Sequence, residues 1–448
     1  MGRLFGTDGI RGIVGETLTA ELALSVGRAA GVVLAGDAKR RPRFVIGCDP
    51  RASSDMLCAA LTAGLCEAGA DVWTLGVIPT PAVAFSVGAY KADAGIMVSA
   101  SHNPAAYNGI KLFGGDGFKL PDALEERIET LVLDEDAPPP AKAVGTVTAA
   151  PDAADVYIQH LQSTALYDLS GLKIAVDCGF GAASRTAKAL FSALHADAIF
   201  LNDTPNGYNV NERCGSTDLR ELSRVVAERG LQAGVAFDGD ADRCLCVDER
   251  GDVVDGDRMM AACALDMKQR GRLRRDTVVG TVMSNLGFLK FCEQNGLHFL
   301  SAKVGDRYVL EQMLLADASF GGEQSGHLIF RDFATTGDGQ LTAVQLLSLM
   351  RRTELPLSAL CGGMTVYPQK SREVAVSSEG KVRFYTEPAV RRAVDEATAR
   401  LGEDGRVVVR PSGTEPLIRV MAQGEDETLL QQIVDELAAT LKQTLKNC

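Results

Sequence analysis

The feature that most constrains the fold is the alternation of short β-branched runs with longer segments rich in Ala and Leu. Arg43–Gly47 is typical of a buried strand, a helix is predicted from about Ser54 to Ala68, and Ala70–Leu75 is the next strand. A strand, a helix and a strand in this order indicate a parallel pairing with a crossover helix. The sequence therefore predicts an α/β fold with doubly wound sheets.

The same alternation begins again twice, at Leu172–Asp177 and at Thr277–Val282. Three similar units in series are a repeat-like organisation. The clearest linker between them is Asp134–Asp152, which is rich in Asp, Pro and Ala, and further breaks lie near residues 254–258 and 366–372. We therefore expect three α/β units before the last break.

The final part of the chain has a different pattern. Short strands around Val374 and Val407 flank a helix from Pro388 to Leu401, and an amphipathic helix runs from Glu427 to about Leu445. This order predicts a small α+β unit. The predicted architecture is three similar α/β domains with mixed sheets plus a smaller C-terminal α+β domain around a central cleft, with domains at 1–152, 153–255, 256–368 and 369–448.

The net charge limits the partners. The chain has 46 Lys and Arg against 58 Asp and Glu, a formal net charge of −12. Nucleic acid and anionic membranes repel such a chain, so we expect neither as a partner. The 11 cysteines are scattered on apolar segments without a CxxC pair, which is typical of reduced thiols in a cytoplasmic protein. Binding of an anionic ligand would need local positive charge.

The first polar loop, Ser99–Pro104, follows the apolar strand Gly95–Val98 and leads to Asn108–Lys111. Loops at strand ends are the usual place for functional groups in open α/β sheets. Ser101 beside His102 suggests a nucleophile next to a base. An Asx turn with a capping serine would use the same residues, so these residues alone leave both interpretations open.

The second loop alternates three carboxylates, Asp238, Asp240 and Asp242, between two apolar strands. Carboxylates at this spacing repel one another unless a cation compensates them. An EF-hand Ca²⁺ loop is the rival interpretation because Glu249 lies at its twelfth position, but Arg243 stands at the sixth, where that loop needs glycine. Hard oxygen ligands with room for phosphate favour Mg²⁺.

Further loops suit sugar and phosphate recognition. Gly321–His327 alternates glycine with hydrogen-bonding side chains, although an ordinary turn would look the same. Arg410–Pro416, followed by Arg419, combines backbone N–H groups with two guanidinium forks, which suits phosphate, and its alternative is a hairpin tip. It lacks the ending of a Walker A loop. Phe5–Gly12 and Cys48–Arg51 each add an arginine beside glycine or a strand end.

Together these loops resemble the α-D-phosphohexomutase superfamily over essentially the whole chain. The shared motifs occur in one order: SASHNP, DGDADR, GEQSGH and RPSGTEP. Within the superfamily the chain is most similar to the bacterial phosphoglucosamine mutases. The stretches that favour this branch are Phe5–Gly12, Asn108–Leu120, Cys214–Thr217, Thr281–Asn285 and Thr335–Gly339.

The resemblance implies roles for individual residues. Ser101 would store and transfer the phosphoryl group, and the residues around that group would be Arg11, His102 and Lys111. Mg²⁺ would be held by Ser101, Asp238, Asp240 and Asp242. The substrate-binding residues would be Arg243, Lys303, Asp306, Arg307, Glu323, Ser325 and His327. The non-reacting phosphate would be held by Arg410, Ser412, Gly413, Thr414 and Arg419.

The resemblance also implies a reaction. Glucosamine 6-phosphate and glucosamine 1-phosphate would interconvert through a phosphoserine enzyme and a 1,6-bisphosphate, in amino-sugar nucleotide synthesis. Glucosamine or glucose 1,6-bisphosphate would serve as activator, the partner would be a small phosphosugar, and a homodimer is possible. Whether Lys111 or His102 moves the hydroxyl proton stays open. The alternatives are a phosphoglucomutase or phosphomannomutase of the same superfamily and a non-catalytic phosphosugar sensor.

Four positions depart from residues common in the superfamily. Cys48 and Pro50 stand where many members have Arg and Thr, and Ser54 and Ala241 stand where Gly is frequent. None of these changes removes the nucleophile or a proposed ligand. They leave the contribution of the loop Asp49–Ser53 open.

Overall fold

The computed structural model describes residues 4–6, 8–35, 40–133, 141, 143–412 and 416–445. It contains four sheets in chain order, of six, five, four and three strands. The first three combine parallel and antiparallel pairs, and the fourth is antiparallel. The predicted fold class, three α/β units with mixed sheets and a smaller α+β unit, is confirmed.

The first unit has the strand order β1-β5-β4-β2-β3-β6. Its elements are β1 Ile10–Ile13, α1 Ala20–Val33, β2 Arg43–Cys48, α2 Ser54–Glu67, β3 Asp71–Val77, α3 Thr80–Ala89, β4 Ala94–Val98, β5 Tyr107–Gly114, α4 Asp122–Leu133 and β6 Val147–Ala149. Strand β4 is buried along its whole length, which fits its uninterrupted apolar sequence.

The segment predicted as a linker, Asp134–Asp152, is partly a strand. Its residues 147–149 form β6, which pairs in parallel with β3 at the edge of the first sheet. Residues 134–140 and 142 lie outside the described part of the chain. A strand of three residues is too short to show periodicity, and the Pro- and Asp-rich composition around it is typical of a linker. The sequence therefore did not predict this strand.

The second and third units repeat this design with shorter sheets, in the orders β11-β10-β9-β7-β8 and β13-β12-β14-β15. The second has α5 Ala153–Thr164, β7 Lys173–Asp177, α6 Ala187–Ala193, β8 Asp197–Leu201, α7 Arg220–Arg229, β9 Ala233–Phe237, β10 Cys244–Asp248 and β11 Val253–Val254. The third has α8 Gly256–Gln269, β12 Thr277–Thr281, α9 Leu286–Gln294, β13 His298–Ala302, α10 Asp306–Ala316, β14 Phe320–Gly322, β15 Leu328–Phe330, α11 Gly339–Thr353 and α12 Leu357–Leu360.

The fourth unit is a three-stranded sheet in the order β16-β18-β17, covered by helices. Its elements are β16 Gln369–Ala375, α13 Ser378–Arg383, α14 Pro388–Leu401, β17 Arg406–Pro411, β18 Leu417–Gln423 and α15 Glu427–Leu445. The predicted bounds of its last two long helices agree with these. The boundaries at 152, 255 and 368 stay a proposal.

The apolar cores divide the molecule into two parts. One buried cluster runs from the first unit through the second into the third, whereas the fourth unit has a cluster of its own. Several polar contacts join the fourth unit to the third: Gln423 accepts from the Leu286 N–H at 2.9 Å, and Lys290 pairs with Asp404 at 2.6 Å. The first three units are therefore packed as one apolar body to which the fourth is attached separately.

The four predicted site loops that carry the shared motifs each connect two neighbouring strands of one sheet. They connect β4 to β5, β9 to β10, β14 to β15 and β17 to β18, and each of these pairs is antiparallel. In each of the first three units, the strand before the loop pairs in parallel on one side and antiparallel on the other. No helix of the described residues has the length and apolar content needed to cross a bilayer.

Close contact between α1 and α2 generates a stability prediction. A Cβ added at Gly64 would lie 2.1 Å from the Leu24 carbonyl oxygen, and backbone cannot move away as a side chain can. We expect Gly64→Ala to lower stability by about 1–3 kcal/mol, because overpacking forces the helices apart.

Gly88→Ala in α3 is the matched control, since a Cβ there meets nothing within 4 Å. It should raise stability by about 0.5–1 kcal/mol through helix propensity. Urea unfolding followed by circular dichroism measures both. Equal effects of the two substitutions would contradict the helix contact.

Candidate active site

A cleft of about 700 Å³ lies between the units. All four units contribute to its lining, and most of the contributed groups are polar: Asp8, Arg11, His102, Asp242, Arg243, Asp306, Glu323, Ser325, His327 and Arg419. A volume in this range is typical of small-molecule sites. The loops predicted to carry the chemistry therefore meet around one cleft.

Ser101 is not part of the cleft lining but precedes His102, which is, and it has an unusual backbone conformation. It follows β4 closely, has φ 51° in the left-handed region, and is 1% exposed. Its Oγ donates to Asp238 Oδ2 at 2.5 Å and is 3.4 Å from His102 Nδ1. A left-handed serine persists only where its surroundings hold it, and such residues cluster at functional sites.

Asp238, Asp240 and Asp242 form a buried carboxylate cluster. One oxygen of each lies within 4.8 Å of those of the other two. Burial, followed by the charges of Asp242 and Asp240, raises the pKa of Asp238 well above its usual value. The Oδ1 atoms of Asp240 and Asp242 are buried and have no hydrogen-bond partner in the part of the chain that the structure describes. Hard oxygens with unused lone pairs fit a metal ion, so this cluster can hold one.

Lys111 compensates part of this negative charge. It lies on β5, is 1% exposed, and its Nζ is 2.8 Å from Asp240, 3.3 Å from Asp242 and 3.1 Å from Asp8. Burial disfavours its charge, but these three carboxylates prevail and raise the pKa of Lys111 well above its usual value. The residue is therefore a buried cation between the first and second units.

Three arginines of the site retain unused donors. The Nε atoms of Arg11, Arg243 and Arg410 are buried and have no hydrogen-bond partner among the described residues. Burial, and then repulsion from Arg419, lower the pKa of the Arg410 guanidinium, since Arg410 and Arg419 are directly opposed on β17 and β18. Unsatisfied buried donors are costly, so these positions suit an anionic ligand.

The two histidines of the site differ in their surroundings. Partial desolvation, and then the charges of Arg243 and Arg11, lower the pKa of His102 to about 4, so its ring is neutral at physiological pH. His327 is 2% exposed, and its Nε2 accepts from the Gly337 N–H at 3.0 Å. That hydrogen bond assigns the His327 proton to Nδ1, which faces Asp242 Oδ2 at 3.7 Å.

The sugar-recognition candidates of the third unit lie on one side of the cleft. Glu323 accepts from the Gly305 N–H at 3.1 Å, which ties the loop before α10 to the loop after β14. Asp306 pairs with Lys119, and both Asp306 and Ser325 line the cleft. Carboxylate and hydroxyl groups placed side by side suit hydroxyl recognition.

Not every predicted residue reaches the cleft lining. Arg307 is engaged by Asp122 and Glu125 of α4, and Lys303 lies over the Tyr308 ring at 5.6 Å. In the fourth unit Ser412 is buried next to Arg410, whereas Gly413 and Thr414 lie outside the described residues.

The structure adds residues that the motifs did not single out. Asp8 pairs with Arg11, Lys111 and Lys119, and Lys119 bridges to Asp306 across the cleft. Thr80 donates to Asp240 Oδ2 at 2.5 Å. Asp8 stands in the glycine-rich segment noted in the sequence, but the partners of Lys119 and Thr80 are more than 100 residues away. Local pattern carries no signal for such pairings.

Comparison with known proteins places the chain. Four family models match in order: phosphoglucomutase/phosphomannomutase alpha/beta/alpha domain I over residues 2–138, domain II over 155–251, domain III over 255–367, and the C-terminal domain over 373–440. A phosphoglucosamine mutase of Caldanaerobacter subterraneus subsp. tengcongensis is 48% identical over 451 residues, covering 99% of this chain and 100% of the relative. One of Symbiobacterium thermophilum is 49% identical and covers 100% of both.

Solved structures agree. A phosphoglucomutase/phosphomannomutase family protein from Burkholderia thailandensis has a TM-score of 0.84 at 26% identity, covering 100% of this chain and 99% of that one. Aspergillus fumigatus N-acetylphosphoglucosamine mutase in complex with GlcNAc-6P and magnesium shares the fold, with a TM-score of 0.68 at 15% identity over 99% and 96% of the chains. The predicted resemblance is therefore confirmed, and the chain belongs to the phosphoglucomutase/phosphomannomutase family.

Proposed function

We propose that this chain is a phosphoglucosamine mutase, an isomerase that interconverts glucosamine 6-phosphate and glucosamine 1-phosphate. The observation that carries the proposal is the Ser101 hydroxyl, which is hydrogen-bonded into the buried carboxylate cluster. One member of that cluster, Asp242, lines a cleft that also holds Arg11 and Arg243, whose Nε atoms have no partner among the described residues. The relatives at 48% and 49% identity over the full chain support the glucosamine substrate.

A phosphosugar suits the charges of the cleft. Phosphate would be met by Arg11 and Arg243 near Ser101 and by Arg410 and Arg419 at the opposite side. Glu323, Ser325 and His327 line the same cleft and would contact the sugar hydroxyls. In the Aspergillus fumigatus mutase the bound ligand is GlcNAc-6P, which supports this arrangement.

We propose Mg²⁺ as the metal. Asp238, Asp240 and Asp242 would hold it together with an oxygen on Ser101, because they supply hard oxygens with free lone pairs. When bound, Mg²⁺ would neutralise charge on the phosphoryl oxygens. Magnesium is present in the Aspergillus fumigatus complex of the same fold.

The proposed reaction begins with a phosphoryl group on Ser101 Oγ. The Oγ–P bond breaks, an O–P bond to the free sugar hydroxyl forms, and the hydroxyl proton passes to a neighbouring base. Of the two candidates, His102 is neutral and can accept the proton, whereas the raised pKa of Lys111 keeps its amine charged. The proton then passes to the leaving Ser101 Oγ, which lies 3.4 Å from His102 Nδ1, so the products are the 1,6-bisphosphate and a free Ser101 hydroxyl. In the second transfer the other sugar O–P bond breaks and Ser101 Oγ takes that phosphoryl group. The Ser101 hydroxyl proton, which points toward Asp238 Oδ2, is released and the freed sugar oxygen gains a proton.

Between the two transfers the bisphosphate must turn end for end. The fourth unit has its own apolar core and meets the third through contacts such as the Lys290–Asp404 pair. Movement of this unit would release the distal phosphate while Ser101 stays in place. If the bisphosphate leaves the cleft before the second transfer, Ser101 stays without a phosphoryl group. Glucosamine or glucose 1,6-bisphosphate would then phosphorylate Ser101 and restore the enzyme.

The cytoplasm is the compartment we propose, and a homodimer stays a prediction. Ten cysteines of the described residues are free thiols, and most of them are buried. Thiols in that number suit a reducing environment.

Ser101→Ala should abolish turnover, because the variant has no oxygen to carry the phosphoryl group. A fall of mutase activity to background is expected with the melting temperature nearly unchanged. Ser86→Ala, a buried serine of α3 outside the cleft, is the matched control and should keep normal activity.

Activity assays of the wild-type enzyme with glucosamine 1-phosphate and with glucose 1-phosphate test the substrate, and we expect faster turnover of the glucosamine compound. Equal or better turnover of the glucose compound would contradict the glucosamine assignment.

Asp240→Asn should weaken Mg²⁺ binding by at least about 10- to 100-fold, since it removes charge from the ligand cluster. Isothermal titration with MgCl₂ measures this directly. Asp248→Asn is the matched control, because Asp248 is equally buried and lies outside the carboxylate cluster. Its carboxylate accepts from the Arg250 and Asp252 N–H groups and lies 3.7 Å from the Arg250 guanidinium. Unchanged Mg²⁺ affinity in Asp240→Asn would show that the metal binds elsewhere.

A further inference from the structure

The segment after β2, whose contribution the sequence left open, lies directly beneath the Ser101 loop. Arg51 is the central group of this segment, and its side chain has no solvent exposure. Its Nε donates to Asp49 Oδ2 at 2.8 Å. The pair is thus buried with its charge compensated, as a guanidinium in an interior requires.

The four remaining donors of Arg51 all contact the backbone of the Ser101 loop and its continuation. Nη2 donates to the carbonyl oxygens of Ser101 at 2.9 Å and Asn103 at 2.8 Å. Nη1 donates to those of Pro104 at 2.6 Å and Tyr107 at 3.0 Å. A guanidinium is the only side chain with five donors in a rigid plane, so no other residue can make this set of contacts.

Asp49 holds the same loop from its other side. Its Oδ2 accepts from Ser99 Oγ at 2.6 Å, and Ser99 Oγ in turn accepts from the Ser101 N–H at 2.9 Å. The second unit adds one more donor, because Asn211 Nδ2 contacts the Ser101 carbonyl at 2.9 Å. Both backbone polar groups of Ser101 are therefore held by side chains.

These contacts explain how Ser101 keeps its left-handed backbone at φ 51°. That conformation is unfavourable for a residue with a Cβ, so it needs surroundings that enforce it. It also aims Oγ at Asp238 in the carboxylate cluster. The direction of the Ser101 hydroxyl thus depends on hydrogen bonds that lie entirely outside the cleft.

We propose that Arg51 is a positioning residue for phosphoryl transfer, which holds the Ser101 backbone so that Oγ stays aimed at the carboxylate cluster. The proposal rests on the proposed function of Ser101. Among the described residues, the Arg51 side chain donates to Asp49 and to backbone carbonyls, none of which belongs to a proposed metal- or sugar-binding side chain. It would therefore act through the Ser101 and Asn103 carbonyls. Loosening this support would misplace the nucleophile without altering the groups that bind the sugar.

Arg51→Lys tests this, because lysine keeps the charge but cannot donate to five acceptors at once. We expect kcat to fall about 100-fold, as misplacement of a reacting group predicts. The KM for glucosamine 1-phosphate should stay within about twofold, since ground-state contacts are intact. Phosphorylation of Ser101 by glucose 1,6-bisphosphate, followed by intact mass in a single turnover, should slow by a factor similar to that of kcat.

Arg28→Lys is the matched control in the same unit. Arg28 joins α1 to α2 through Glu67 at 2.6 Å and has no contact with the Ser101 loop. It should lower the melting temperature without changing kcat. If Arg51→Lys behaves like this control, with lower stability and full kcat and phosphorylation rate, Arg51 is a structural residue only and the proposal is wrong.

Asn211→Ala keeps the test decisive if Arg51→Lys does not fold. It removes the other donor to the Ser101 carbonyl from the half-exposed edge of the second unit and leaves the buried pair intact. A several-fold fall in phosphorylation rate at constant KM supports the proposal, and an unchanged rate contradicts it. The wild-type protein is measured first, because absence of Ser101 phosphorylation there would refute the proposed function rather than the role of Arg51.

Discussion

Repulsion among three buried carboxylates is the constraint on which the site depends. Asp238, Asp240 and Asp242 are at most 3% exposed, and charges in such an interior need compensation. Lys111 and the Ser101 hydroxyl come from the first unit to supply part of it. The pKa of Asp238 is nevertheless raised, first by burial and then by the charges of Asp242 and Asp240. Burial alone would raise the pKa of Asp242, but Lys111, His327 and Arg243 outweigh it and lower that pKa well below its usual value. A divalent cation is complementary to these carboxylates and would also bind an oxygen of a phosphorylated Ser101.

A common topology brings the rest of the site to this cluster. Each unit presents its loop where two antiparallel strands meet, so four similar units place four loops around one cleft. The first three share an apolar core and hold their loops in fixed relation, while the fourth is attached separately. A rigid phosphoryl-transfer centre with a separately attached phosphate-binding unit suits a reaction whose intermediate must turn around.

Much of this was predictable from the sequence. Long periodic elements such as α14 and α15, the four sheets, and the loops with Ser101 and the three aspartates follow local pattern and motif order. Contacts between distant segments do not. The bridge from Lys119 to Asp306, the ion pairs that keep Arg307 at α4, and the hydrogen bonds of Arg51 to the Ser101 loop each join residues about 50 to 190 positions apart. The short edge strand β6 was not predicted, because three residues are too few to show a periodic pattern.

The central claim is that Ser101 carries a phosphoryl group, and intact mass spectrometry tests it most directly. The full chain, purified and incubated with glucose 1,6-bisphosphate and Mg²⁺, is measured and then digested to map the modification. The account predicts a species heavier by one phosphate, with the phosphate on Ser101. A chain that stays unmodified, or one that carries its phosphate on another residue, would contradict it.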